Sequence, residues 1–484
     1  MNKIRYGSIL RVLGVLLLIV ALSMLLCLPF SYYYETGHGS DFISGALICL
    51  LAGGLMWMGS GNFDLKVNKR EGYIIVFSAW IILWISCALP YVLSGTFSSL
   101  TDVFFETISG LTTTGATTIN DIESVPKDIL FWRSYTQWLG GMGIIVLTVA
   151  LLPLLGIGGI ELFVAEAPGP TSEKLHPRIK DTAKILWFIY LILTLFLCLI
   201  LWISGMDWYD SLNHALTTMA TGGFSTKNSS VAYFSPQIQY IIALFMFLGG
   251  VNYTLYYLTV RRKFRDVLRS DELRYYAYLV VVLTFIVTLI VYSVSDITLE
   301  RAFRDSIFQI ISIITTTGFV TADYTSWTPL LTTLFFILLF IGACSGSTSG
   351  GIKIVRHTVL IKNSFLEFKR LLHPRAMIRI RLNGKIVAPR VLTHIMVFFI
   401  LYIVTFVGGT FLVILTGVDP VTAAGASASA ISNVGPAIGE VNPVESYADL
   451  NVSTKWLLSW LMLIGRLELF TVLILITPFF WSSR

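Results

Sequence analysis

The sequence predicts an all-α polytopic membrane protein. Two leading transmembrane helices precede four copies of one unit in a pseudo-fourfold arrangement. Each copy is a span, a short half-helix, an extended turn and a second span. Three observations predict this. Of 484 residues, 55% are apolar and 13% charged, with a mean hydropathy of +0.77, against about 45–50% apolar and about 25% charged in a soluble domain. Charge-poor stretches of spanning length recur ten times, and a glycine-bearing cluster of small or hydroxylated residues recurs four times. The composition excludes a soluble globular enzyme, a disordered tail and a coiled coil. The five cysteines are odd in number, scattered through apolar stretches and without a CxxC, so neither a disulfide framework nor a zinc site is expected.

A spanning helix needs about 20 apolar residues. The stretches are Val12–Tyr34, Phe42–Phe63, Tyr73–Thr101, Ser134–Ile160, Ile185–Met206, Asn228–Val260, Tyr275–Ser295, Tyr324–Ile352, Val391–Val418 and Trp456–Trp481. The first is followed by no small-residue cleavage site, so it reads as a retained helix rather than a signal peptide. Ten spans put both termini on one side, and that side takes 27 of the 34 Lys and Arg residues. The other side takes Lys127, Arg133, Lys227, Arg301, Arg304 and Lys455, and Arg466 stays in the membrane. The positive-inside rule then makes both termini cytoplasmic. The basic loops 261–274 and 353–390 either mark topology beside anionic lipid or form a docking surface for a cytosolic partner.

The four clusters are Thr113-Thr114-Gly115-Ala116, Thr221-Gly222-Gly223-Phe224, Thr316-Thr317-Gly318-Phe319 and Asn433-Val434-Gly435-Pro436, with third positions 108, 95 and 117 residues apart. Thirteen residues before the glycine stands Asp102, Asp210 or Asp305; the fourth copy has Thr422 there and Asp419 three residues earlier. The segment between aspartate and glycine is about 10–12 residues, roughly 15–18 Å as a helix. That is half a bilayer, as in re-entrant segments. Non-helical backbone at membrane depth is tolerated only inside protein or against a water-filled cavity. Four such turns about an axis would present rings of carbonyls able to replace the hydration shell of a monovalent cation. Glycine allows the positive φ that points successive carbonyls one way. Half-helices entering from outside aim their partially negative C-termini at the centre, which favours a cation. The aspartates are expected at the half-helix starts, capping free N–H groups and drawing cations to the outer mouth. A single Gly/Thr cluster would be ordinary close helix packing; four at matched offsets are not.

These residues resemble the Trk/Ktr/HKT superfamily of potassium transporters, and most of all its bacterial Trk-type uptake subunits. The motifs are TTTGAT (112–117), ATGGFST (220–226), TTTGF (315–319) and SNVGP (432–436), with AEAPGPTSEKLHPRIKDTAKILWFIY (165–190) like the Trk branch; the likeness covers essentially the whole chain. It implies helix–pore-loop–helix repeats that build one potassium filter on a single chain. It further implies a homodimer and a cytosolic nucleotide-binding ring that controls opening. The chain itself carries no nucleotide-binding motif. Gly435-Pro436-Ala437 departs from a pattern with glycine at the last place, and Gly115 stands where sodium-permeable plant relatives have serine. The implied organisation is a leading hairpin (1–70) and four repeats, 71–165, 166–274, 275–362 and 363–484.

The second span of the third repeat holds Gly342, Gly346, Gly350 and Gly351 within ten residues. Glycine costs about 1 kcal/mol relative to alanine inside a helix. The stretch is therefore either unwound in mid-membrane or a GxxxG packing face. The resemblance makes Gly346, Ser347, Thr348, Ser349 and Gly350 an intramembrane gate below the filter. Arg466 at mid-membrane costs at least about 2.5–3.5 kcal/mol on insertion scales. It needs acceptors, and the freed carbonyls and hydroxyls of 345–350 suit it better than Glu468, about 200° away around the helix. The resemblance places it in the barrier below the filter; snorkelling is the alternative.

No HExxH, P-loop, Rossmann turn or Ser/His/Asp set is present, so no enzyme activity, covalent cofactor or nucleic-acid partner is expected. His214, in the second half-helix, reads as a hydrogen-bonded packing residue, with a titrating group as the alternative. The expected function is potassium uptake across the inner membrane, with potassium as the transported ligand. The alternatives are a sodium- or proton-coupled transporter of the same superfamily and an organic-solute transporter. The latter would show two inverted repeats rather than four in one orientation.

Overall fold

A computed structural model describes residues 5–61, 68–146 and 175–482. Among these residues the regular secondary structure is helical apart from one two-stranded hairpin. The leading pair is Tyr6–Tyr33, interrupted at Leu26-Cys27, and Gly39–Met58. Gly14 and Gly53 let their backbones touch: a Cβ on either would stand 2.8 Å from the other's carbonyl oxygen. Without a hydrophobic drive between helices in lipid, such small-residue contacts hold spans together.

The first helix of each unit is long and apolar: Lys69–Ser94, Leu175–Ile203, Asp271–Val294 and Pro389–Leu415. The long candidate spans bury only 22–44% of their most apolar windows. Leu51, Phe285 and Phe411 are exposed. Such faces would be untenable in water and require lipid cover.

The second helices differ from the uniform spans expected. Only Lys127–Val146 of the span placed at 134–160 falls within the described residues. The span expected at 228–260 is two helices, Pro236–Gly249 and Tyr253–Val260, bent by 92°. Asn252 restarts the helix by accepting the Thr254 N–H at 2.9 Å, as a good N-cap does. The span expected at 324–352 ends at Leu338, and helix resumes only at Ile354. The tenth breaks by 112° between Val452–Arg466 and Phe470–Ile476. There Glu468 and Leu469 take φ of +56° and +49°, and Glu468 accepts Arg356 at 2.5 Å.

Residues 5 and 482 both reach the start of the Lys69–Ser94 helix. Arg5 donates to Glu71, and Arg70 donates to the Ser482 carbonyl at 2.9 Å. At Asn383-Gly384 a tight hairpin joins Arg381–Leu382 to Lys385–Ile386, the Asn-Gly signature of a two-residue β-turn.

Candidate functional site

Four short helices carry the site: Leu100–Leu111, Trp208–Met219, Leu299–Ile314 and Pro420–Ser432. At 12 to 16 residues they are about 18–24 Å long, too short to cross. Their N-caps are not the expected aspartates. Ser99, Asp207, Thr298 and Asp419 accept the first free N–H groups. In three copies the cap lies sixteen residues before the glycine, at Ser99, Asp207 and Asp419. Asp419 therefore follows the rule of its repeat rather than departing from it. Asp102 and Asp210 stand in the first turn, and Asp305 stands in the second turn of a longer helix. They form ion pairs instead: Asp102 with Lys455 at 2.6 Å, Asp210 with Lys227 at 3.9 Å and Asp305 with Arg301 at 3.7 Å. First-turn carboxylates also oppose the helix dipole favourably.

Each half-helix ends the same way. The N–H groups of Thr114, Gly222, Thr317 and Val434 reach back five residues, to carbonyls at 2.8–3.1 Å. The preceding N–H groups, of Thr113, Thr221, Thr316 and Asn433, reach back three. This is the Schellman closure, which needs a left-handed residue after the helix. Thr113, Thr221, Thr316 and Asn433 supply it at φ of +55°, +52°, +54° and +56°. Left-handed backbone costs an ordinary residue about 1–2 kcal/mol, and β-branched residues are rarest there. The same strain therefore recurs at one place in three copies, with Asn433 the relaxed exception. Two residues on, Gly115, Gly223, Gly318 and Gly435 take φ between +76° and +98°.

The glycines bring the four turns together. A Cβ on Gly115 would collide with the Gly222 carbonyl, on Gly223 with Thr317, on Gly318 with Val434 and on Gly435 with Thr114. The sequence of contacts runs one to two to three to four and back to one. All four glycines line one cavity of about 400 Å³, rimmed by Asn120, Lys227, Glu445 and Asp449. Gln137 donates to the Gly222 carbonyl at 2.6 Å, and Ser429 and Tyr447 donate to Gly435. No donor among the described residues meets the carbonyls of Thr114, Gly115, Gly223, Thr317, Gly318 or Val434. Unsatisfied carbonyls crowded at one place suit a cation.

Beneath the turns lies the glycine-rich stretch, and it is unwound. The GxxxG packing face does not form, because residues 339–353 are irregular backbone. Its neck is closed by Gly342 N–H to Ile352 carbonyl at 2.9 Å and Ile352 N–H to Phe340 carbonyl at 3.2 Å. The Tyr253 N–H donates to the Gly346 carbonyl, and the Ser347 and Ser349 hydroxyls bond each other at 2.8 Å. Its tip touches the half-helix ends. The Thr348 hydroxyl donates to Met219 at 3.1 Å and accepts from Thr221, and the Gly350 N–H donates to the Thr316 hydroxyl at 2.6 Å. Arg466, 2% exposed, donates from Nη1 to the Thr348 carbonyl at 2.8 Å and from Nη2 to Gly140 at 3.3 Å. Arg466 is thus held by backbone oxygens, and Glu468 faces Arg356 instead.

Sequence reasoning missed a buried pair behind the turns. Glu106, fully buried in the first half-helix, accepts Arg133 Nε at 2.6 Å. Arg133 also donates to the Ser225 carbonyl at 3.1 Å and lies 3.4 Å over the Phe224 ring. One turn on, Gln137 accepts the Phe224 N–H at 3.1 Å. Arg133 counted as a charge of the outer side; the available signal was its i, i+4 spacing to Gln137 and a glutamate inside an apolar half-helix.

The model of the family described as "TrkH: Cation transport protein" matches residues 38–483. The chain is 40% identical over 487 residues to the Trk system potassium uptake protein TrkH of Escherichia coli K12, covering 99% of this chain and 100% of that one. It is 35% identical to the Trk system potassium uptake protein TrkG of the same strain, over the full length of both. The crystal structure of the potassium transporter TrkH from Vibrio parahaemolyticus superposes with a TM-score of 0.91 at 37% identity, covering 99% and 100% of the two chains.

Proposed function

The chain belongs to the TrkH cation transport family, and from that premise we propose that it takes up potassium across the cytoplasmic (inner) membrane through its four gathered turns. It is a transport protein and not an enzyme. The observation that carries the reading is the closed order of glycine-to-carbonyl contacts, Gly115 to Gly222, Gly223 to Thr317, Gly318 to Val434 and Gly435 to Thr114.

A potassium ion entering the outer cavity sheds water and is met by neutral carbonyl dipoles. The C-terminal ends of four half-helices add negative potential at the same place. The filter residues are then Thr113, Thr114 and Gly115; Thr221, Gly222 and Gly223; Thr316, Thr317 and Gly318; and Asn433, Val434 and Gly435. Below them residues 346–350 and Arg466 form the closed gate. Thr348 is the hinge of that contact, since it bonds both the second half-helix and Arg466. A guanidinium on the ion's path repels potassium, and the loop fills the space.

On this reading the chain is a leading hairpin (1–70) and four repeats (71–165, 166–274, 275–362, 363–484), with both termini cytoplasmic. It works as a homodimer, opened by a cytosolic nucleotide-binding ring at the basic loops. The test is potassium flux by purified protein in liposomes, beside growth rescue of an uptake-deficient strain at low potassium. Selective potassium flux and rescue are expected. Flux that does not discriminate potassium from sodium, or none with any cation, ends the proposal.

A further inference from the structure

The buried pair has counterparts. Glu106 stands nine residues before Gly115. The same position holds His214 before Gly223, Gln309 before Gly318 and Ala426 before Gly435. Each polar member reaches the segment just past its own glycine. Glu106 accepts the Thr117 hydroxyl at 3.0 Å and the Thr118 N–H at 2.9 Å. His214 bonds the Ser225 hydroxyl at 3.0 Å. Gln309 donates to the Thr321 hydroxyl at 3.4 Å. The partners lie two or three residues after the glycine in every case. All three side chains are at most 1% exposed.

We propose that this position is a shared brace: Glu106, His214 and Gln309 are positioning residues that fix the carbonyl angle of their turns and thereby set the preference for potassium over sodium. This rests on the reading of the turns as the filter. A half-helix controls only the start of its turn through the Schellman closure. The chain beyond the glycine needs its own anchor, and a side chain one and a half helical turns above the helix end reaches it. In the fourth turn, where Ala426 cannot serve, tyrosines from outside take over. Tyr447 donates to the Gly435 carbonyl at 2.6 Å and Tyr324 to Ala437 at 2.9 Å. The brace is charged only in the first repeat, where Arg133 extends it to the second turn through Ser225.

The test uses the neutral members, since removing one partner of a buried ion pair strands the other charge. Neither His214 nor Gln309 takes part in an ion pair among the described residues. Potassium-to-sodium permeability ratios are measured on full-length protein in liposomes for His214→Leu, His214→Gln, Gln309→Leu, Gln309→His and Gly115→Ser. His214→Leu is expected to lower the ratio roughly two- to twelvefold, the worth of one hydrogen bond, and Gln309→Leu, which loses a longer bond, only about two- to threefold. His214→Gln and Gln309→His exchange one repeat's brace for another's and should keep it within about twofold. Leucine variants with an unchanged ratio, beside a Gly115→Ser variant that has lost selectivity, overturn the brace and leave the filter standing. Exchange variants as damaged as the leucine ones also overturn it. An unchanged ratio in Gly115→Ser removes the filter reading itself. Should His214→Leu fail to reach the membrane, the Gln309 pair decides, because its bond is long and its partner Thr321 only half-buried.

Discussion

Replacing Arg466 with alanine should open the closed state. The guanidinium is buried and makes one short bond to the Thr348 carbonyl at 2.8 Å and one long bond to Gly140 at 3.3 Å. A hydrogen bond from a charged donor contributes about 1.5–3 kcal/mol net. Counting only the short bond, and taking 1.4 kcal/mol per factor of ten, the closed-to-open ratio falls by roughly 10- to 150-fold. The long bond adds little at that distance. On the proposed function the guanidinium also lies on the ion's path, and removing its charge acts in the same direction, so the figure is a lower bound on the change in flux. The assay is potassium efflux from liposomes containing the purified protein alone, normalised to protein incorporated. Basal flux should rise at least about tenfold and then saturate as the open fraction approaches one. Arg466→Lys keeps the charge and loses the fork, so it should fall between the two. If Arg466→Ala incorporates normally and conducts no faster than the parent protein, the Thr348 anchor does not hold the loop shut.

Three further outcomes follow from the same geometry. Thr348→Val removes the hydroxyl bonds to Met219 and Thr221 and should raise basal flux in the same assay. The double variant with Arg466→Ala should gain less than the product of the two, because both act on one residue. Gly115→Ser places a side chain at φ +83° against the Gly222 carbonyl and should raise sodium permeation relative to potassium; reversal potentials under paired gradients read it. Asp419 is held below the ordinary aspartate value of 3.8 by its bonds to the Thr422 hydroxyl and the Val421 and Thr422 N–H groups. Its folded pKa is depressed, so its stabilisation is present above that value and lost as pH falls through the folded pKa. Thermal unfolding midpoints in detergent should drop on acidification below about 3.8, and Asp419→Asn, an equally good cap, should flatten that drop.

Much of the site was legible because it repeats. Thirteen-residue offsets ending in glycine marked the half-helices, mid-membrane cost marked Arg466, and glycine's cost inside a helix marked the stretch 342–351. What stayed hidden depends on contacts distant in the chain. Nothing near Thr113, Thr221 or Thr316 announces left-handed backbone, because threonine disfavours it and only the surrounding closure enforces it. Asp102, Asp210 and Asp305 looked like caps because aspartate is a good one. Yet Ser99 and Asp207, three residues earlier, meet the free N–H groups, and Thr298 does so in the longer third helix. The breaks at Asn252 and Glu468 fall inside stretches apolar enough to span. Their causes, a side-chain cap and an ion pair to Arg356 across 112 positions, carry no local signature. The partnership of Glu106 with Arg133 joins two repeat elements that hydropathy reads separately.

The seams between turns are peptide against peptide, and this has a mechanical corollary. At each of the four joints the glycine meets a carbonyl of the next turn, with side chains added only at the Pro436 ring beside Gly318 and the Asn433 bond to the Thr114 hydroxyl. Because each glycine abuts the next turn, from Gly223 to Thr317, Gly318 to Val434 and Gly435 to Thr114, widening one sector would have to displace its neighbours. On the proposed function, ions of different radius are sorted by the stiffness of the whole annulus, to which each copy's turn and its brace contribute. That leaves the copies free to carry threonine, glycine or valine at the middle place while the four joints keep the bore.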